Sequence, residues 1–139
     1  MPNTFGNDLL GKRILVVDDE VAMREVLCET LEALGAETMA AGGGLAAFEM
    51  IANSCPDAVV SDVTMPGGDG VELLRKIRKA FPAARPAVIL ISGYNEMTEA
   101  QALELGAQGL LAKPFALPDF RAMLVKYLGP QSDRSPSAR

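Results

Sequence analysis

Asp62 has the clearest chemical setting in this chain of 139 residues. It follows the apolar run Ala58–Val60, which is typical of a strand buried on both faces. It precedes the Pro-Gly-Gly-Asp-Gly cluster of residues 66–70, which predicts a loop. We therefore expect the Asp62 carboxylate where a buried strand emerges. A lone aspartate at such a place can also cap a helix, so its position alone does not define a site.

Other polar side chains follow three further apolar runs of the sequence. These are the pair Asp18-Asp19, the hydroxyl of Ser92 and the ammonium group of Lys113. Because parallel strands end at one edge of their sheet, we expect all of these groups to lie near Asp62. The combination is much more specific than any of its members.

Apolar runs alternate five times with helical patterns along the chain. The predicted strands are residues 14–17, 37–41, 58–60, 87–91 and 109–112. The predicted helices are residues 21–34, 45–53, 71–81, 96–105 and 117–128. The apolar stripe of the first helix comprises Met23, Val26, Leu27, Leu31 and Leu34. This alternation predicts an α/β fold, a doubly wound parallel sheet with helices on both faces and right-handed crossovers.

Composition excludes several classes of function. The sequence has no histidine, which excludes a histidine-containing zinc site and a histidine-based catalytic triad. No apolar run approaches the ~20 residues of a membrane span. The net charge is −5, and the one dense basic run, Arg75–Lys79, reads as a solvated helix face, so we expect no nucleic-acid partner.

The chain divides into one domain with short flanks. Residues 1–11 are predicted to be a flexible lead-in, residues 12–128 the domain, and residues 129–139 a disordered tail rich in Ser and Pro. The lead-in lacks the basic and apolar pattern of a signal peptide, and Cys28 and Cys55 are interpreted as plain thiols. These features favour a cytoplasmic protein without a membrane partner.

The predicted cluster is suited to phosphoryl chemistry. Three carboxylates at neighbouring strand ends repel one another unless a cation lies among them, and oxygen ligands favour Mg²⁺. A carboxylate in this setting can accept a phosphoryl group and form an aspartyl phosphate. Lys113 would supply positive charge for the phosphoryl oxygens, and Ser92 and the Gly93 N–H would supply hydrogen bonds. The Lys113–Pro114 bond is a candidate for the cis form.

Four motifs resemble the receiver domain of bacterial two-component response regulators. They are Val17-Asp18-Asp19-Glu20, Ser61-Asp62-Val63-Thr64-Met65-Pro66, Ile91-Ser92-Gly93 and Lys113-Pro114-Phe115. The resemblance covers about residues 12–128. It implies a flavodoxin-like (β/α)5 fold, in which the five-stranded sheet has the order 2-1-3-4-5.

The resemblance also implies roles for single residues. Asp62 would be the phosphoacceptor, Ser92 the switch hydroxyl and Lys113 the lysine that contacts the phosphoryl group. Asp19 would bind Mg²⁺ directly and Asp18 largely through water. The full set of implied metal ligands is Asp18, Asp19, Asp62 and the Thr64 backbone carbonyl. The phosphodonor would be a phosphohistidine of a sensor histidine kinase or phosphotransfer protein, and the phosphorylated form would bind a downstream protein.

Leu110 departs from the family pattern. The family commonly has an aromatic residue three positions before the lysine, and its rotation accompanies the movement of the hydroxyl. Leucine cannot make the swing of a tyrosine, so the usual coupling stays open at this position. We interpret Leu110 as a core leucine.

Three functions compete on the sequence alone. The favoured one is a stand-alone receiver, a phosphoprotein that switches a protein–protein surface and is not an enzyme. The second is a Mg²⁺-dependent phosphatase that works through an aspartyl phosphate. Such enzymes usually carry an acid two residues after the nucleophile, where this chain has Thr64, and a cap, for which no insertion is long enough. The third is a receiver cut from a larger DNA-binding regulator, with residues 130–139 as the start of a linker.

Overall fold

The computed structural model describes residues 8–65, 70–81, 85–93 and 96–129. Its strands are β1 Arg13–Val17, β2 Glu37–Ala41, β3 Ala58–Asp62, β4 Ala87–Ser92 and β5 Gly109–Ala112. Its helices are α1 Val21–Glu32, α2 Gly44–Ser54, α3 Gly70–Ala80, α4 Glu99–Leu105 and α5 Leu117–Leu128. The five strands form one parallel sheet in the order β2-β1-β3-β4-β5. The predicted doubly wound, flavodoxin-like fold is confirmed.

The sheet separates two apolar cores because successive side chains of a strand point to opposite faces. In β1, Leu15 and Val17 belong to the core beneath α2, α3 and α4, whereas Ile14 and Val16 belong to the core beneath α1 and α5. Phe120 of α5 is fully buried in the second core. Burial of a large apolar side chain stabilises the fold by about 1.5–3 kcal/mol, so both faces hold the central strands in place.

The strand register brings the carboxyl ends of the central strands together. Val17 of β1 pairs with Ser61 of β3, and Asp62 pairs with Ile91 of β4. Ser92, the last residue of β4, pairs with Ala112 of β5. The residues that follow these positions in the chain therefore meet at one edge of the sheet.

Helix α4 begins later than predicted. The helical pattern predicts a start at residue 96, whereas the helix begins at Glu99 with Thr98 as its N-cap. The Thr98 hydroxyl accepts the Gln101 N–H at 3.1 Å, and the Gln101 side-chain oxygen accepts the Thr98 N–H at 2.9 Å. This reciprocal capping box satisfies two free donors of the first turn and fixes the start of the helix.

The buried stripe of α1 is narrower than predicted. Leu27 and Leu31 are fully buried, but Val26 is 40% exposed. The helix ends at Glu32, and Leu34 is buried just beyond that end. The predicted inward orientation of Val26 is therefore wrong, because it lies at the margin of the apolar face.

The predicted flanks extend beyond the described residues. Residues 1–7 and 130–139 lie outside those ranges, as do residues 66–69 of the predicted loop after β3. Within the predicted lead-in, however, Leu9 is fully buried and its N–H donates to the Leu34 carbonyl at 2.8 Å. The packed part of the chain thus includes Leu9.

In the part of the chain that the structure describes, no helix combines the length and apolarity that crossing a membrane requires.

The basic run on α3 is not uniformly solvated. Arg75, Lys76 and Lys79 are exposed, but Arg78 is half-buried and its Nε donates to the Gly106 carbonyl at 2.9 Å. Burial lowers the pKa of the Arg78 guanidinium below its usual value. Arg78 therefore attaches α3 to the carboxyl end of α4.

Candidate functional site

Three carboxylates meet at the carboxyl ends of β1 and β3. One oxygen atom each of Asp18, Asp19 and Asp62 lies within 4.8 Å of the other two. Asp18 and Asp62 are buried, whereas Asp19 is exposed. Like charges this close destabilise the ionised state of the group unless a cation compensates them. The structure thus brings together the three acidic side chains that the sequence placed in one site.

Asp18 supplies an acceptor without a protein donor. Its Oδ1 accepts the Glu20 N–H at 2.9 Å, but its Oδ2 is buried and no donor among the described residues reaches it. Burial raises the pKa of the Asp18 carboxyl above its ordinary value; the Glu20 bond opposes this, and the charge of Asp62 adds to it. A buried, unpartnered oxygen in an all-oxygen cluster fits the ligand preference of Mg²⁺.

The Asp18 backbone is also held from the helix that follows it. Arg24 of α1 donates through Nη1 to the Asp18 carbonyl at 2.6 Å. Because this bond joins the end of β1 to the first turn of α1, it restrains the position from which the Asp18 side chain projects.

Lys113 holds Asp62. The lysine Nζ donates to Asp62 Oδ2 at 2.9 Å, and the two side chains are 33% and 7% exposed. Burial acts to lower the pKa of Lys113, but the hydrogen bond to Asp62 and the charges of Asp62, Asp18 and Glu20 outweigh it, so the pKa lies above its usual value. Lys113 is therefore a permanent cation in the site. The Lys113–Pro114 bond is cis, as predicted.

Ser92 offers a free hydroxyl. It is the last residue of β4, and its carbonyl accepts the Lys113 N–H at 2.7 Å, which places it beside the lysine. Its Oγ is buried, and none of the described residues provides a hydrogen-bond partner. Ser92 is one of the residues that line a cleft of about 510 Å³, together with Gly93, Glu96 and Ala112. A buried hydroxyl without a partner is uncommon and marks a group that can bind something added to the site.

Glu96 is a site residue that the sequence reasoning missed. One carboxylate oxygen accepts the Gly93 N–H at 2.6 Å, and the other accepts the Thr64 hydroxyl. The Thr64 bond, the Gly93 bond and the nearby charge of Lys113 hold the pKa of Glu96 below its usual value. The bridge joins the segments that follow β3 and β4. No sequence pattern relates Glu96 to Thr64, so no signal pointed to this contact.

The start of α3 is packed against the backbone of Asp62. The Gly70 N–H donates to the Val63 carbonyl at 2.8 Å. A Cβ atom at position 70 would lie 2.3 Å from the Asp62 carbonyl oxygen, so only glycine fits there without a shift of the backbone. Thr64 is exposed, and a role for its backbone carbonyl as a metal ligand stays a prediction.

Leu110 lies where the family commonly has an aromatic residue. It belongs to β5, pairs with Leu90 of β4 and packs half-buried against the core beneath α4. This placement agrees with its interpretation as a core leucine.

Comparisons with known proteins agree with the motifs and the geometry. The family model for the response regulator receiver domain matches residues 14–125. The chain is 35% identical to sporulation initiation phosphotransferase F of Bacillus subtilis (strain 168) over 121 residues, which are 86% of this chain and 96% of that protein. It is 40% identical to response regulator MprA of Mycobacterium sp. (strain KMS) over 112 residues, 81% of this chain and 48% of the relative. The chain thus spans about half the length of MprA.

Solved structures show the same architecture. The CheY-like response regulator receiver domain protein from Methanospirillum hungatei JF-1 superposes with a TM-score of 0.78 at 28% identity, covering 89% of this chain and 98% of that one. A response regulator receiver domain protein from Clostridium thermocellum gives a TM-score of 0.76 at 28% identity, with coverages of 84% and 93%.

Proposed function

The chain belongs to the response regulator receiver domain family of two-component signalling, and we propose on that basis that it is a switch controlled by phosphorylation of Asp62. One observation carries the assignment of the residue. Asp62 lies buried at the end of β3, bonded to Lys113 and clustered with Asp18 and Asp19. Phosphoryl transfer needs alignment and charge compensation more than covalent chemistry, and this cluster supports both.

In the proposed reaction the Asp62 carboxylate attacks the phosphorus of a phosphohistidine on a sensor histidine kinase or phosphotransfer protein. A phosphorus–oxygen bond to Asp62 forms as the phosphorus–nitrogen bond breaks. The donor ring, which carries a proton on its other nitrogen before the transfer, keeps the electron pair of the broken bond and leaves as neutral imidazole. Lys113 orients the attacking carboxylate through its bond to Oδ2 and carries positive charge toward the phosphoryl oxygens.

Mg²⁺ is the proposed cofactor. The residues that would hold it are Asp18, Asp19, Asp62 and the Thr64 backbone carbonyl. The unpartnered Asp18 Oδ2 supports this donor set. When bound, the ion supplies positive charge that offsets the carboxylates and the phosphoryl oxygens.

Ser92 is the proposed switch residue. Its unpartnered hydroxyl donates to a phosphoryl oxygen once one is present, and this draws the end of β4 toward Asp62. The readout is a changed surface that a downstream protein binds, which requires only that the partner contact the two states differently. We place this exchange in the cytoplasm, without contact to nucleic acid or membrane.

A cleft beside the site is the proposed binding surface for the phosphodonor. A cleft of about 650 Å³ is lined by Met23, Val26, Phe115 and Leu117, and Lys113 forms part of its wall. Because Lys113 also contacts Asp62, a partner bound in this apolar cleft lies next to the phosphoacceptor.

We propose a regulator that assists its own phosphorylation rather than a phosphatase that turns over. Position 64, where phosphatases of this chemistry usually have an acid, holds a threonine whose hydroxyl is bonded to Glu96. We further propose a stand-alone receiver, since the match spans 96% of sporulation initiation phosphotransferase F. A receiver within a longer regulator is the second candidate, favoured by the 58% coverage of the phosphate regulon transcriptional regulatory protein PhoB of Pseudomonas aeruginosa.

The test is phosphate uptake from acetyl phosphate in the presence of Mg²⁺, followed by intact-mass spectrometry. We expect the wild type to gain one phosphoryl group and Asp62→Asn to gain none. Asp57→Asn is the matched control, because it changes the same side chain at the other end of β3 and should react as the wild type does. Equal incorporation by the wild type and Asp62→Asn would contradict the assignment.

A further inference from the structure

Glu96 is a carboxylate at this edge of the sheet that the proposed reaction leaves without a role, although both of its oxygens are bonded to the segments after β3 and β4. The acidic group of Asp18, Asp19 and Asp62 does not include it. Both of its oxygens are bonded, one to the Gly93 N–H at 2.6 Å and one to the Thr64 hydroxyl at 2.5 Å. Because the side chain is exposed, these two bonds rather than packing define its position.

The donors that Glu96 occupies border the phosphoacceptor. Thr64 is two residues beyond Asp62, and Gly93 directly follows Ser92 with its unpartnered hydroxyl. Lys113, which is bonded to Asp62, also acts on Glu96 through its charge. Lys113 and the Gly93 N–H both interact with Glu96, and both also border the space that a phosphoryl group on Asp62 would enter.

Two anions then compete for one set of donors. A phosphoryl group brings about two negative charges and three acceptor oxygens, as phosphorylated side chains do. The Glu96 carboxylate brings one charge to the same edge, and hydrogen bonds to an ionised acceptor are among the stronger ones in proteins. Because the phosphoryl group carries more charge, it displaces the Glu96 carboxylate. This displacement breaks the two hydrogen bonds that Glu96 accepts from Gly93 and Thr64.

We propose that Glu96 is an internal anion that occupies donors of the phosphoryl site in the resting protein, and that phosphorylation of Asp62 displaces it. This inference rests on the proposed function of Asp62. The resting bridge lowers the rate and the extent of phosphorylation, and its release couples the phosphoryl group to the segment before α4.

The geometry also predicts where the displacement stops. The capping box of Thr98 and Gln101 is independent of Glu96, so α4 keeps its first turn when the bridge opens. At the far end of the helix, Arg78 stays bonded to the Gly106 carbonyl. The segment that precedes α4, which contains Glu96, therefore responds to phosphorylation, whereas the helix itself keeps both of its ends in place.

The decisive variant is Glu96→Gln, which keeps the shape and one acceptor oxygen but removes the charge. We expect about fivefold faster phosphorylation by acetyl phosphate and about fivefold tighter binding of beryllofluoride, at the low end of typical coupling between sites. Glu99→Gln, in the exposed first turn of α4, is the matched charge control and should stay within about twofold of the wild type, as surface substitutions usually do. Loss of the phosphoryl group is timed separately, so that slower hydrolysis is not mistaken for faster uptake.

Glu96→Ala provides a second route to the same result, since it removes both bonds. In amide NMR spectra, addition of beryllofluoride should move the Gly93 signal of the wild type. The signal should move toward the position that it has in the two Glu96 variants without beryllofluoride. If the wild type takes up no phosphate, the function of Asp62 fails and the role of Glu96 fails with it. If the wild type is phosphorylated but both Glu96 variants react at its rate or more slowly, or do not fold, the internal anion is refuted while the function of Asp62 stands.

Discussion

Strand β3 carries an aspartate at each end, and the two differ in their surroundings. Asp57 precedes the strand and pairs with Arg85 at 3.1 Å, and its other oxygen accepts the Arg13 N–H at 2.8 Å. Asp62 ends the strand and pairs with Lys113 at 2.9 Å. Both are acid–cation pairs of similar length. Only Asp62 belongs to a group of three carboxylates among the described residues.

The difference lies in charge balance rather than in the presence of an ion pair. Both Asp57 oxygens are satisfied by one arginine and one backbone N–H, which fixes the entry of β1 and β3 into the sheet. At the other end, one lysine faces three carboxylates, so negative charge remains uncompensated. A carboxylate whose oxygens are both bonded supports the fold. A buried carboxylate whose charge is not fully compensated can instead bind a cation and take part in a reaction.

The largest difference between the two ends of β3 should appear when the cationic partner of each aspartate is removed. We expect Lys113→Ala to slow phosphorylation of Asp62 by about a hundred- to a thousandfold, the loss found when one electrostatic donor is deleted from a reaction site. Arg85→Ala should react at the wild-type rate, because its guanidinium lies at the opposite edge of the sheet. Initial rates with acetyl phosphate, read by mass spectrometry, compare the two. A slow Arg85 variant would mean that the ends of β3 are not independent.

Magnesium should distinguish the two ends through stability. At ten times its dissociation constant, Mg²⁺ should raise the free energy of unfolding of the wild type by about 1.4 kcal/mol, since it binds the folded state. Asp57→Asn should retain this gain, and Asp18→Asn and Asp62→Asn should lose most of it. Thermal unfolding with MgCl₂ and then with excess EDTA measures the effect. An undiminished gain in Asp62→Asn would place the ion elsewhere.

The smallest contrast concerns the two aspartates without any metal. Asp57→Asn should lower the free energy of unfolding by about 1 kcal/mol, because it weakens a satisfied hydrogen bond to the Arg13 N–H. Asp62→Asn should cost nothing or stabilise the protein, because it removes one of three repelling charges. Urea unfolding in EDTA provides both values. Asp62→Asn as the less stable variant would contradict the account of charge balance.

The parts of the fold that the sequence predicted well depend on local patterns. Continuous apolar runs such as Ala87–Ile91 suit only strands buried on both faces, and the structure extends this one by Ser92 alone. The start of α4 also has a local signal, because Thr98 and Gln101 have the spacing of a capping box, whereas the helical period by itself places the start too early. The helical period of α1 likewise shows which face is apolar, but it does not show how wide the buried part of that face is. For this reason the sequence did not predict that Val26 is exposed.

The remaining features depend on tertiary contacts that no local pattern encodes. The bridge from Thr64 to Glu96 spans 32 residues and requires the segments after β3 and β4 to lie side by side. Leu9 and its neighbour Leu10 lie in a short stretch without a helical or strand period, so no periodic pattern marks Leu9 as a core position. The order of the strands came from resemblance to a family. The alternation of strands and helices predicts a parallel sheet but leaves several orders open.

Gly70 limits how this chain can change by mutation. Every other amino acid has the Cβ atom for which the Asp62 carbonyl leaves no room. Any substitution of Gly70 therefore disturbs the backbone of Asp62, the proposed phosphoacceptor, however small the new side chain is. The geometry of Asp62 thus depends on a residue that has no side chain and no role in the proposed reaction.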